Sequence, residues 1–434
     1  MSDVKSPFLR RVVLRDYKSI RACDVTLGPL TLLVGLNGSG KSNFLDALRF
    51  VSDALRTNLR NAVEQRGEIR QMVRRGKGEC GSFSIELAVA LSGQREGKFS
   101  VAVGEAQGLP CIEEESCTIA TAGHEVLSHF EVLNGQVKAL KFYLTAAAEL
   151  AKDVGRWNSP RARIDQFYLP VVSGYPGFGE LYDHLRGMRF FNISPEKIRI
   201  ESSSVRPASE LAWDGRGAAS VAQRLLQNEQ GVKERIDEYL RLILPVLTGV
   251  TVSTSSTSIL PPRSHIKKMN EELLSGEPRS PYFELDSGGT TMTFGPNSIS
   301  DGTLRAFGVL LALFQAIYRP ENDPIPVVGI EEPEASVHPA AASVLWDAMN
   351  EASHFTQVIA STHSVELLDR KDVGPESLLV VEMVDGETRI GPVDQAGQSI
   401  IRDRLATPGE LLRQNQLALE PNAADAGSTP ALQP

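Results

Sequence analysis

The run GLNGSGKS at residues 35–42 joins a glycine-rich turn to a lysine and a serine in the spacing G-x-x-x-x-G-K-S. Backbone N–H groups of such a turn, and of a helix that starts behind it, bind phosphate oxygens. Gly35, Asn37, Gly38, Ser39, Gly40 and Asn43 would line this cradle. Lys41 is expected to reach the β- and γ-phosphates, and the Ser42 hydroxyl to ligate Mg²⁺. A chance glycine turn would need neither an apolar strand before it nor an amphipathic helix after it. Both are present: LTLLV precedes, and Phe44, Leu45, Leu48, Val51, Leu55 and Leu59 follow at helical spacing.

Three more groups could complete a phosphate chemistry. The apolar run from Ile325 to Ile330 ends in Glu331, Glu332, Pro333 and Glu334. A first carboxylate there can orient Mg²⁺, and a second, Glu332, can orient or deprotonate an attacking water. The alternative, an exposed acidic loop, does not explain why the preceding run is wholly apolar. In NSISDGTLRAF, Ser300, Asp301 and Gly302 open a buried helix, which offers an anion site at its N-terminus. Plain N-capping needs the same residue types and stands beside that reading. The run VIASTHS places His363 at the end of an apolar strand, where an imidazole can sense a phosphate or be a satisfied structural histidine.

These residues need elements to hold them. RRVVLRDYKSI reads as a strand and a turn, and VTLGPLTLLVG as two strands joined through Gly-Pro. SFSIELAVAL and KFSVAVG predict a hairpin. EVLNGQVKALKFYLTAAAELAKDVG and AASVAQRLLQNEQGVKERIDEYLRLIL carry helical stretches without sustained heptads. PYFELDSGG reads as a strand and a loop before the buried helix from Thr303. ESLLVVEMVDGETRIGPV predicts a hairpin with an Asp-Gly turn.

The four groups in this order resemble the ABC-type ATPase heads of the SMC/RecF group. They look most like stand-alone RecF-like AAA family ATPases and the ATPase part of OLD-family proteins. VVLRDYKSI ahead of GLNGSGKSN, SDGTLR as a variant signature, EEPEASVHP as Walker B with D-loop, and STHS as the switch histidine carry the resemblance. It implies an α/β P-loop NTPase of ABC-head type: a mixed central sheet with flanking helices, an N-terminal antiparallel β part and a mainly helical insertion. Residues 1–105 and 283–400 would form the head, 106–282 the inserted lobe, and 401–434 a short helix and a tail. It further implies ATP and Mg²⁺, a head-to-head dimer, and the Ser300–Gly302 signature facing the partner's phosphate loop. In that scheme Ser42 and Glu331 hold the metal, Glu332 is the general base, His363 senses the γ-phosphate, and Lys18 contacts nucleotide. Glutamate where most relatives have aspartate, at Glu331, implies slow hydrolysis. A Q-loop glutamine has no clear place; Gln71 lies early and Lys77 occupies the expected position.

Composition narrows the partners. A net charge of -9 argues against a basic nucleic-acid coat. Local clusters remain: Arg70, Arg74, Arg75 and Lys77; Arg156, Arg161 and Arg163; Lys267 and Lys268. They could meet DNA phosphates or form a solvated face. Cys23, Cys80, Cys111 and Cys117 show no zinc spacing and read as reduced thiols, which points to a cytoplasmic protein, and no run approaches 18 apolar residues, so no membrane span is expected. No second catalytic centre follows His363, so a Toprim-type nuclease would be a separate subunit. Two functions share the sequence: an ATPase coupled to DNA engagement in repair or in antiviral defence, or an ATP-dependent scaffold for a separate effector. A P-loop kinase would need neither the Ser-Asp-Gly-Thr nor the Ser-Thr-His-Ser element.

Overall fold

The computed structural model describes residues 8–74, 81–142, 159–199, 208–228, 230–254, 279–319 and 323–421. They form two compact units, one of Met1–Arg189, Glu321–Val327 and Lys371–Pro434, the other of Phe190–Pro320 and Val328–Arg370.

The first unit is built on a mixed sheet. Its strands are β1 (Phe8–Tyr17), β2 (Ile20–Thr26), β3 (Leu30–Val34), β4 (Ser82–Leu91), β5 (Arg95–Ala106), β6 (Leu109–Thr121), β7 (Val126–Leu133), β8 (Gln136–Phe142), β15 (Leu378–Val384) and β16 (Glu387–Pro392). The order is β8-β7-β6-β5-β4-β1-β2-β16-β15-β3. Pairing from β8 to β2 is antiparallel, whereas β16 runs parallel to β2 and β15 parallel to β3. All five residues of β3 are buried, which is why LTLLV carries no alternation. Strand β4 alternates strictly and has one covered face. Helix α1 (Lys41–Arg56) lays Phe44, Leu48, Phe50, Val51 and Leu55 into the core. Phe50 meets Phe83 of β4 edge-on at 5.5 Å, and Tyr17 meets the same ring at 5.0 Å. Short helices α2 (Leu59–Glu64), α3 (Ile69–Met72), α4 (Leu169–Val172), α5 (Phe178–Gly187), α12 (Gln395–Arg402) and α13 (Pro408–Arg413) complete this unit.

The second unit contains β9 (Arg189–Phe191), β13 (Val327–Glu331) and β14 (Gln357–Thr362), in the order β14-β13-β9. A separate antiparallel sheet joins β10 (Leu247–Thr254), β11 (Arg279–Ser287) and β12 (Thr290–Phe294). Thus the loop expected after PYFELDSGG is half strand. Helices α6 (Pro195–Arg199), α7 (Ala218–Asn228), α8 (Gln230–Ile243), α9 (Asp301–Ile317), α10 (Pro339–Ala352) and α11 (Val365–Leu368) surround them. Helix α9 is buried from Gly302 to Ala316, and Phe307 packs edge-on against Phe283 at 5.4 Å.

The expectation of a mainly helical lobe over 106–282 needs correction. Its described residues open with β6, β7 and β8, which extend the antiparallel sheet, and only then turn helical. The physical cause is Glu115. In β6 the inward positions are Ile112, Glu115, Cys117 and Ile119, so an acid interrupts the apolar row that would announce a strand. Ser128 does the same in β7, with its hydroxyl donating to the Pro176 carbonyl at 3.0 Å. The stretch 131–155, expected to contain a helix, opens with the end of β7 and with β8, and its residues 143–155 lie outside the described residues, as do Cys80, Lys77, Arg75, Arg156, Lys267 and Lys268.

Glu115 is 1% exposed, and its two oxygens accept the N–H groups of Tyr168 and Leu169 at 2.6 and 2.8 Å. Burial pushes its carboxyl up to about 7 against those two bonds. Cys117 on the same strand and Tyr168 are the titratable groups that feel its charge, and both are themselves held neutral by burial. A raised folded-state pKa means stability that is complete below the ordinary carboxylate range and lost as pH climbs through 7. Between pH 5 and pH 8 the parent should therefore lose roughly 3 kcal/mol relative to Glu115→Gln, read by urea unfolding at each pH. Parallel pH curves for the two proteins would refute this.

Candidate nucleotide site

The phosphate loop follows β3 directly. Leu36, Asn37 and Gly38 form its exposed tip, Ser39 is buried, and Ser42 is exposed on the first turn of α1. That turn carries no acidic side chain, so nothing opposes an anion at the positive end of the helix. Lys41 is 5% exposed, and its ammonium donates to the carbonyls of Gly35 and Leu36 at 2.8 and 2.9 Å, lying within the loop. Gly40 has φ +104°, and a Cβ there would lie 2.0 Å from Thr388 Oγ1. Only glycine fits, because β16 presses Thr388 against the loop.

Thr388 belongs to a brace that the sequence did not announce. Its hydroxyl donates to the Ser39 carbonyl at 2.8 Å and lies 2.7 Å from Ser19 Oγ. Asn43 Nδ2 donates to the same Ser19 oxygen at 2.7 Å. The β1–β2 turn and the C-terminal hairpin thus both grip the loop. Lys18, expected to contact nucleotide, pairs with Asp46 of α1 at 2.5 Å. Asp46 also accepts from Tyr17 Oη and Arg66 Nε, each at 2.8 Å. Burial works to raise its pKa, but Arg66 and Lys18 hold the carboxyl below the usual range.

The second unit gathers the other three groups. Glu331 ends β13 and is half-buried; Glu332 follows with φ +42°, an uncommon conformation for a residue with a side chain. Its N–H donates to the Ser361 carbonyl at 3.0 Å. That bond aims the side chain at the end of β14, where His363 Nδ1 lies 3.3 Å from Glu332 Oε1. The two candidate catalytic groups therefore touch, and both reach solvent, with side-chain exposures of 40% and 35% for His363 and Glu332.

Ser300 caps α9 by accepting the Thr303 N–H at 3.2 Å, so the N-capping reading describes this hydroxyl. The residue is nonetheless exposed. Asp301 pairs with Arg199 at 2.5 Å, and Arg199 also donates to the Ile299 carbonyl at 3.0 Å. A Cβ on Gly302 would lie 2.3 Å from the Ser336 carbonyl. Its glycine identity is thus required by the turn after β13. Gln71 is exposed on α3, where it packs over Gly67.

Residues 30–87 and 176–369 match the family model described as "AAA domain, putative AbiEii toxin, Type IV TA system". The chain belongs to this family. The match takes in residues 35–42, Ser300, Asp301, Gly302, Glu331, Glu332 and His363, but not Lys18, β6–β8 or the β15–β16 hairpin. Among curated proteins, the DNA replication and repair protein RecF of Vibrio vulnificus is 31% identical over 103 residues, which is 23% of this chain. The chain spans 28% of that relative's length. Solved structures with similarity include the SMC head bound to the C-terminal winged-helix domain of ScpA, at 13% identity and TM-score 0.47, covering 90% of this chain and 99% of that one. The SMC head domain from Thermotoga maritima follows at 18% identity and TM-score 0.40, covering 89% and 99%. Among the described residues no helix is long and apolar enough to cross a membrane, and Cys23, Cys111 and Cys117 are free thiols.

Proposed function

We propose that this chain is a slow ATPase whose ATP-bound form dimerises, with the signature of one copy completing the phosphate site of the other. The observation that carries this reading is the Glu332–His363 pair, 3.3 Å apart and open to solvent. A carboxylate beside an imidazole can draw a proton from water while the imidazole hydrogen-bonds a departing phosphate. Ser42 and Glu331 offer the hard oxygen ligands that suit Mg²⁺, which when bound would neutralise charge on the phosphates. Lys41 and the loop N–H groups bind and orient the triphosphate. The exposed Ser300, on a helix end anchored by Arg199, supports a trans contact to a second copy. Ser300→Arg should abolish the ATP-dependent dimer in light scattering while ATP affinity stays within about threefold, because one bulky cation defeats close docking but leaves the loop intact. Identical assembly of both proteins would refute the trans signature.

A link to DNA rests on the RecF relative. A second reading, an ATP-operated scaffold for a separate effector, is favoured by the described basic residues. Arg70 donates two hydrogen bonds to the Glu105 carboxylate at 2.9 and 3.0 Å, and Arg163 donates two to Asp165 at 2.9 Å. Arg74 is paired with Asp16 and Glu387. Cations engaged in this way offer less to a phosphate backbone. ATP turnover measured with and without duplex DNA separates the two: stimulation supports DNA engagement, and indifference supports the scaffold.

A further inference from the structure

Three acids stand within four residues at the end of β13, from Glu331 to Glu334, and the third, Glu334, has no role in the reading above. It is 8% exposed. Its Oε1 accepts the Thr362 hydroxyl at 2.6 Å, and Thr362 is wholly buried at the end of β14. The same Thr362 oxygen accepts the Ser364 N–H at 3.0 Å. Among the described residues, the other carboxyl oxygen, Oε2, makes no hydrogen bond although it is buried. A buried carboxyl that leaves one oxygen unmet costs stability, commonly about 1–3 kcal/mol. Retaining it needs a compensating use.

The geometry supplies one. His363 lies between Thr362 and Ser364, the two residues locked by this chain of bonds. On its other side, Glu332 is two residues from Glu334 and is bonded through its N–H to Ser361. Two segments therefore meet along three rungs: Glu332 N–H to Ser361 carbonyl, Glu332 carboxylate to His363 ring, and Glu334 carboxyl to Thr362 hydroxyl. The second is part-exposed at both ends, whereas the first is a backbone bond to buried Ser361 and the third is buried. We infer that Glu334 is a positioning residue, which through Thr362 holds the His363 ring against Glu332 in the reactive arrangement. This rests on the hydrolytic role proposed for Glu332.

Burial raises the Glu334 pKa, opposed by the Thr362 bond and by nearby His363, and Arg305 is the cation that feels its charge. In either protonation state the Glu334 carboxyl can accept from Thr362 through Oε1, and so can an amide oxygen. Hence the amide should substitute for the acid.

Steady-state turnover and ATP affinity measured on the full chain test this. Glu334→Leu and Thr362→Val should each lower kcat by about 10- to 100-fold, with ATP affinity held within about twofold, as a displaced reacting group costs rate and not binding. Glu334→Gln should stay within about threefold of the parent, because its amide oxygen accepts the same hydroxyl. The double variant Glu334→Leu with Thr362→Val should be no slower than either single, since both break one rung. Full turnover in Thr362→Val, or a double variant in which the two losses multiply, would overturn the inference. If Glu334→Leu does not fold, the near-isosteric Thr362→Val decides alone. If the parent binds ATP but does not turn it over, the hydrolytic reading has failed. The positioning claim is then judged by ¹⁵N-histidine NMR, where Glu334→Leu must shift or broaden the His363 ring signals. Unchanged signals would reject it.

Discussion

Glu332→Gln should lower ATP turnover by about 10²- to 10⁴-fold, the usual worth of a positioned general base. ATP affinity should be retained, because the phosphate loop and Lys41 are untouched. An amide has the size of the carboxylate but cannot take the proton. The ATP-bound dimer should therefore persist, visible as a long-lived larger species in light scattering after ATP addition. The structure strengthens the case through backbone as well as side chain. Glu332 stays at φ +42°, a conformation costing on the order of 1 kcal/mol or more, and the Ser361 carbonyl holds it there. Parental turnover in Glu332→Gln would remove the residue from the role of base.

Arg305→Met should be among the most destabilising single changes in the second unit. Arg305 is 8% exposed on α9, yet its guanidinium donates to three backbone carbonyls: Glu332 through Nε at 3.0 Å, Glu331 through Nη2 at 2.9 Å, and Ile193 through Nη1. Burial lowers its pKa, and Glu334, Glu332 and Glu331 work against that. One side chain of α9 thus holds the backbone carrying Glu331 and Glu332. Methionine would fill much of the volume and remove three charge-assisted bonds, although the Glu332 carbonyl keeps the Ala335 N–H at 3.0 Å. A loss of roughly 3 kcal/mol follows from the lost bonds, measured by urea unfolding. Arg305→Lys should recover less than half of it, since an ammonium cannot match a planar fork to three acceptors. A loss below about 1 kcal/mol in Arg305→Met would show that the contacts are dispensable.

Much of this was written in short stretches of sequence. The phosphate loop, the apolar strands leading into it and into Glu331, the capped α9 and the Asp-Gly hairpin all rest on local rules. These are glycine dihedrals, apolar runs and helix spacing, which act within a few residues. The sheet beyond β5 was not legible, because Glu115 and Ser128 occupy inward positions and disguise the period. Nor was the fate of the cations. Lys18 is near the loop in sequence pattern, yet Asp46, 28 positions on, claims its ammonium.

By itself, then, the sequence determined which candidate residues stand together and which elements end in them. The tertiary structure decided what those residues touch. Thr388 reaches Ser39 across 349 positions of chain, Arg305 reaches Glu332 across 27, and Thr362 reaches Glu334 across 28. Residue type and spacing constrain torsions and periodicity over a turn or two. A hydrogen bond between distant segments depends on where packing brings them, and no local pattern records that.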